Sequence, residues 1–139
     1  MDKQQAKHYL LSKPEAKEDY PFGDKAAAFK IAGKMFALLS RHQGRDILNL
    51  KCAPDESLAL RDIFPGIIPG YHMNKRHWNT LFLDNDLVAN TTKACILEAV
   101  PDKEVERLID HSYTLVVRGL RKAERLALEL RQGTEVLYR

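Results

Sequence analysis

Between Pro65 and Leu83 the chain reads PGIIPGYHMNKRHWNTLFL, a block that concentrates polar donors around aromatic side chains. Lys75 and Arg76 at a turn suit phosphate contacts, and His72, Asn74 and His77 can donate to phosphate or sugar oxygens. Tyr71 and Trp78 can stack on exposed bases. The same residues fit a plainer role. Trp78 alternates with Thr80 and Phe82, which places it on one face of a strand. Asn74 and His77 can equally satisfy the backbone of a turn. Both readings stay open on the residues alone.

Further cations lie on the strands that precede this block. Lys30, Lys34, Arg41 and Arg45 fall on or at the tips of strand-like segments, and Lys51 ends another. Two basic hairpin tips can flank a duplex as paired wings, although lysines on strands also discourage edge-to-edge pairing in any soluble sheet. Residues 25–83 hold nine Lys/Arg against four Asp/Glu, so the basic charge belongs to the middle of the chain. The formal net charge of +3 and pI of about 8.9 fit weak attraction to a polyanion. They fall short of a strongly basic DNA binder.

Enzyme signatures are missing. There is no G-x-S-x-G, no phosphate-binding G-x-x-x-x-G-K-[ST], no H-E-x-x-H and no G-x-G-x-x-G. His72 and His77 are five residues apart, a spacing that suits neither ligands on one helix nor a zinc finger. Cys52 and Cys95 are the two cysteines, expected as reduced, semi-buried thiols. Whether Cys52 meets a histidine as a nucleophilic pair is a spatial matter that spacing does not decide. The expectation is a protein that is not an enzyme, with no cofactor and no metal.

The elements that must position these residues follow from periodicity. Residues 2–12 read as a helix stopped at Pro14, and the acid-rich stretch 14–25 as an irregular connection. Alternation then marks a strand over Ala27–Ala32, a hairpin with Gly33-Lys34 as its two-residue turn, a strand from Met35, a turn over Arg41–Arg45, and a strand over Ile47–Cys52. Links this short require antiparallel pairing. Pro54-Asp55-Glu56 opens a helix whose apolar face is Leu60, Ile63 and Phe64. Two extended pieces follow, Ile67–His72 and His77–Leu83. Asp84–Ala99 is turn-like, with a helical turn or short strand over Lys93–Ala99. Val105, Leu108, Ile109, Ser112/Tyr113, Val116 and Leu120 define a long helix from Pro101, ended or bent at Gly119. A further helical pattern with Leu126 and Leu130 runs over Arg121–Arg131. Strands grouped apart from helices indicate an α+β fold with an antiparallel sheet of about five strands. At 139 residues the chain is read as one domain, residues 1–139, with a core over about 3–120 and a charged helical extension over about 121–139. With no apolar run long enough to span a bilayer and no secretory leader, no membrane partner is expected, and the expected location is cytoplasmic.

Order and spacing carry a resemblance. Lys13-Pro14, Pro21-Phe22-Gly23, Phe29-Lys30-Ile31, Lys34-Met35-Phe36-Ala37 and Leu50-Lys51 lead to Pro69-Gly70-Tyr71-His72-Met73-Asn74-Lys75-Arg76-His77-Trp78-Asn79-Thr80. Pro101-Asp102 and Ile109-Asp110-His111-Ser112-Tyr113 complete the set. Together they resemble the MmcQ/YjbR-like family of small bacterial proteins. The resemblance implies a CyaY-like α+β fold with helices on one face of the sheet. It also implies a proposed DNA-binding role, through similarity to the double wing module of a phage transcription factor. That role is attached to the family by fold, so it stands as analogy. The stretch 85–99 and the tail 121–139 depart from the family pattern, and both are candidates to alter oligomerisation or to cover the sheet. DNA is the expected partner, and a protein-interaction module of the same fold is the alternative. An iron-handling role by fold analogy would need the acids of the helix over 102–110 as an acidic ridge.

Overall fold

The computed structural model describes residues 1–71, 73–84 and 99–139. His72, Cys95 and the expected turn or strand over 93–98 lie outside them. Eleven elements are described: α1 (Lys3–Leu11), β1 (Lys17–Asp19), β2 (Ala27–Ile31), β3 (Lys34–His42), β4 (Arg45–Lys51), α2 (Pro54–Ile63), β5 (Ile67–Pro69), β6 (Trp78–Phe82), α3 (Asp102–Arg118), α4 (Lys122–Gln132) and α5 (Thr134–Leu137). The strands form one antiparallel sheet in the order β1-β2-β3-β4-β6-β5.

The sheet has six strands where about five were expected. The additional one, β1, lies in the acid-rich stretch expected to be irregular. It pairs with β2 through Lys17↔Lys30, Glu18↔Phe29 and Asp19↔Ala28. A charged three-residue strand has no hydrophobic alternation to announce it. An edge position accepts it because pairing uses backbone groups, and charge there blocks further pairing. The two hairpin turns also differ from the expected ones. Lys34 already pairs with Ile31, so the first turn is Ala32-Gly33, at φ +50° and +79°. His42 pairs with Arg45, so the second is Gln43-Gly44, at φ +51° and +76°. Both turns carry the paired positive φ of the type that matches strand twist.

Alternation assigns two faces. Ala27, Phe29, Ala37, Leu39, Leu48, Leu50 and Leu81 point toward the helices and join the main core with Val105, Leu108, Ile109, Tyr113, Val116 and Val117 of α3. Phe36 is the unpaired residue of a bulge between Phe29↔Ala37 and Lys30↔Met35. The bulge turns Phe36 inward, where its ring meets Tyr113 edge-on at 5.2 Å. Buried Ser112 fastens α3 to the sheet: its hydroxyl donates to the Phe36 carbonyl at 2.6 Å and accepts from the Lys51 N–H at 2.9 Å.

Neighbouring positions of α3 serve other contacts. Tyr113 donates to the Pro14 carbonyl at 2.6 Å, and Asp110 accepts from Lys13 at 2.8 Å and from Tyr9 at 2.9 Å. Asp102 pairs with the terminal ammonium of Met1, and Glu104 with Arg107. The acids considered for an acidic ridge are largely engaged in these intramolecular pairs.

The tail packs on the helical side and does not cover the sheet. Leu128 and Leu137 enter the core, and Arg131 forks onto Glu15 at 3.0 Å through Nε and again through an Nη. Leu126 and Leu130, expected on the apolar face of α4, are instead exposed at 43% and 87%, because the docking face is the one through Leu128. Ile63 differs in the same way: it is 65% exposed, and Leu60 carries the burial of α2.

Candidate nucleic-acid interface

The chain after β5 turns back across the face of the sheet opposite the helices. The Gly70 N–H donates to the Trp78 carbonyl at 2.9 Å, and the Tyr71 N–H donates to Thr80 Oγ1 at 2.9 Å. A Cβ on Gly70 would meet Trp78 Cβ and its carbonyl oxygen at 2.9 Å, so glycine is required by this close approach. The Tyr71 ring lies 4.2 Å from that of His42. Beneath the segment, Thr80 donates its hydroxyl to Asn49 Oδ1, and both residues are buried.

A short turn then leads into β6. The Asn74 carbonyl accepts from the His77 N–H at 3.2 Å and the Trp78 N–H at 2.9 Å, while Asn74 Oδ1 accepts from the Arg76 N–H at 3.0 Å. Asn74, Lys75 and Arg76 are exposed, and His77 and Trp78 are half-buried. Arg61 of α2 holds the turn from the helix side. It donates to the Lys75 carbonyl through an Nη and to Asn79 Oδ1 at 2.8 Å through Nε. Nothing in the sequence marked Arg61, because its partners stand 14 and 18 residues away and arise only from the crossing of α2 with β6.

The sheet register divides the other candidate cations between its two ends. Lys34 begins β3, Lys51 ends β4, and Lys51 pairs with Trp78 at the start of β6. Lys34, Lys51, Lys75 and Arg76 therefore share one end of the sheet. Lys30, paired with Met35, lies near that end, but Asp19 Oδ2 neutralises it at 2.8 Å. Arg41 and Arg45 lie at the far end of β3 and β4, about 23 Å away at roughly 3.3 Å per residue. There Arg41 approaches Asp46 at 3.5 Å, and Arg45 donates to the Leu83 carbonyl at 3.1 Å with its guanidinium 5.0 Å from the Phe82 ring. The two basic tips sit at opposite ends of the sheet, because successive turns of a meander must alternate. Among the described residues, no carboxylate pairs with Lys34, Lys51, Lys75 or Arg76. Among the described residues, Lys75 Nζ donates to a neutral carbonyl, that of Gly70 at 3.3 Å, and to no carboxylate.

One residue set comes together that spacing did not suggest. Cys52, Glu56 and His111 place a thiol, a carboxylate and an imidazole within 4.8 Å of one another. Cys52 is 3% exposed, and burial, helped by the nearby Glu56 carboxylate, pushes its thiol up to about 11. Cys52 therefore does meet a histidine, in surroundings that hold the thiol protonated rather than activating it.

The YjbR family model matches residues 11–115, most of the chain and the whole of the sheet. The chain belongs to the YjbR family. Among its YjbR-type relatives, the protein YbdF of Escherichia coli O157:H7 is 38% identical over 128 residues, covering 89% of this chain and 94% of the relative. The protein YjbR of Escherichia coli is 29% identical over 120 residues, covering 86% and 91%. The crystal structure of Deinococcus radiodurans protein DR2400 superposes with a TM-score of 0.73 at 33% identity, covering 90% of this chain and 86% of that one. A Pseudomonas syringae protein superposes at 0.65 and 30% identity, covering 83% and 98%. The α+β architecture with an open antiparallel sheet is thus common to this chain and these solved structures. No helix among the described residues is long and apolar enough to cross a membrane.

Proposed function

We propose that the chain is a non-enzymatic DNA-binding protein whose contact surface is the end of the sheet that carries Lys34, Lys51, Lys75 and Arg76. The observation behind this reading is the gathering of these four cations at one end of the sheet, where, among the described residues, no carboxylate pairs with them. The other strand cations Lys30 and Arg41 lie against Asp19 and Asp46. Cations without a carboxylate partner, beside a half-buried tryptophan, are available to replace counterions along a phosphate backbone. Asn74 at the tip adds an exposed amide, and Arg61 holds the turn in place without neutralising the charges at its tip.

Binding of this kind is driven by phosphate contacts and is steeply salt-dependent. Replacing Lys75 and Arg76 together by alanine is expected to weaken duplex binding. It should also reduce the slope of log K against log salt by about 2, roughly one for each phosphate that no longer meets a cation. Arg41→Ala, at the other end of the sheet, is expected to change neither. Undiminished affinity in the double variant sinks the assignment of this turn. A second reading, a protein-docking module, draws on Leu58 and Ile63, exposed at 62% and 65% on α2. A folded protein that passes through DNA and heparin columns unretained at low salt would favour that reading.

A further inference from the structure

The geometry points to Cys52, Glu56 and His111 as a three-ligand site for a zinc-like divalent cation. The three residues come from separate, firmly packed elements: Cys52 directly follows β4, Glu56 lies in the first turn of α2, and His111 stands on α3. Tetrahedral zinc with bonds of about 2.0–2.3 Å places its ligand atoms roughly 3.3–3.8 Å apart. Glu56 Oε2 and His111 Nε2 are already at 3.4 Å, and all three ligand atoms fall within 4.8 Å. Closing the set takes a movement of about 1 Å, within the reach of side-chain torsions.

A second observation points the same way. His111 Nε2 is buried and has no hydrogen-bond partner, even though a carboxylate oxygen lies beside it. Buried polar atoms rarely stay unpartnered, and an imidazole nitrogen set beside a thiol and a carboxylate fits a shared cation. The other oxygen of Glu56 is occupied: Oε1 accepts from Arg107 at 2.9 Å, and Glu104 holds the same guanidinium. Such an outer hydrogen bond orients a ligating carboxylate and leaves its second oxygen for the metal.

The donor set selects the ion. Thiolate, imidazole and carboxylate together suit zinc and its borderline-soft neighbours, whereas magnesium and calcium favour oxygen alone. On binding, the Cys52 thiol proton leaves to solvent, and the thiolate and carboxylate charges balance the dication. A shallow cleft lined by Arg107, Asp110, His111, Thr114 and Arg139 opens on the outer side of His111. The site is independent of the acids of α3 that pair with Met1 and Lys13.

Cobalt(II) titration of the chelator-stripped protein tests this, in a Cys95→Ser background that leaves Cys52 as the only thiol. The expected result is one equivalent bound, with a thiolate-to-cobalt charge-transfer band that zinc abolishes by displacement. The band should vanish in Cys52→Ser. Affinity should fall at least tenfold in Glu56→Gln and in His111→Gln, two half-buried positions whose variants can be checked for folding by their melting curves. Cobalt binding without a thiolate band overturns the proposal. So does a band whose affinity is unchanged in both Glu56→Gln and His111→Gln. The readout is the metal itself, so the result stands apart from any DNA measurement.

Discussion

Arg61 Nε donates to Asn79 Oδ1 at 2.8 Å, and the same oxygen accepts from the Ser57 hydroxyl at 2.8 Å. Asn79 is 2% exposed, so α2 meets β6 through a buried polar contact. The basic turn hangs from this contact, because Arg61 also reaches the Lys75 carbonyl. Arg61→Ala is expected to cost about 1.5–3 kcal/mol, the range for losing a hydrogen bond from a charged donor, with Ser57 still serving the Asn79 oxygen. Urea melts measure that cost. Hydrogen exchange over residues 73–78 should quicken more than over β2. Arg61→Lys should rescue little, since a single ammonium cannot span both acceptors.

Ser112→Ala is expected to be among the more damaging single-atom deletions in α3. It strips the Phe36 carbonyl of a donor and the Lys51 N–H of an acceptor, both beside the bulge. Each unsatisfied buried group costs about 1–3 kcal/mol. A melting temperature unchanged from the wild type would show that the bulge does not depend on this bridge.

Ala32 adopts φ +50° at the first hairpin turn, a region that costs a residue bearing a Cβ roughly 1–2 kcal/mol. Ala32→Gly should therefore raise stability, by up to about 1 kcal/mol once the greater freedom of the unfolded chain is set against it. The melting temperature should rise without any change in the turn, which nuclear Overhauser contacts between Ile31 and Lys34 can verify.

Acid should weaken the attachment of the C-terminal tail. The guanidinium of Arg131, with the amide of Gln132, holds the Glu15 carboxyl below its ordinary value of 4.5. A lowered folded value means that the unfolded chain binds the proton more readily, so the contribution is present above 4.5 and disappears as pH falls through the folded value. The stability gap between wild type and Glu15→Gln should be full above the ordinary value of 4.5 and close as pH falls through the lowered folded value. A gap independent of pH would detach the effect from this ion pair.

Periodicity and punctuation by themselves determined most of the frame. Gly33 and Gly44 marked two hairpins because a positive φ is costly for other residues. Val105, Leu108, Ile109, Tyr113 and Val116 marked α3 because one helical face must enter the core, and all of them do. Local pattern misplaced what local energetics do not decide. β1 exists through backbone pairing to a neighbour, and α4 docks by Leu128 rather than by Leu126 and Leu130 because the surface that receives it belongs to the fold as a whole.

The site divides along the same line. Asn74, Lys75 and Arg76 were legible as exposed turn residues from their types alone. That Lys34 and Lys51 join them while Arg41 and Arg45 stand at the opposite end follows from strand order and register, which carry residues far apart in the chain to one edge. Cys52, Glu56 and His111 meet only because α3 crosses behind β4. Chemistry of that kind has no spacing to read, since its distances are set by packing and not along the chain.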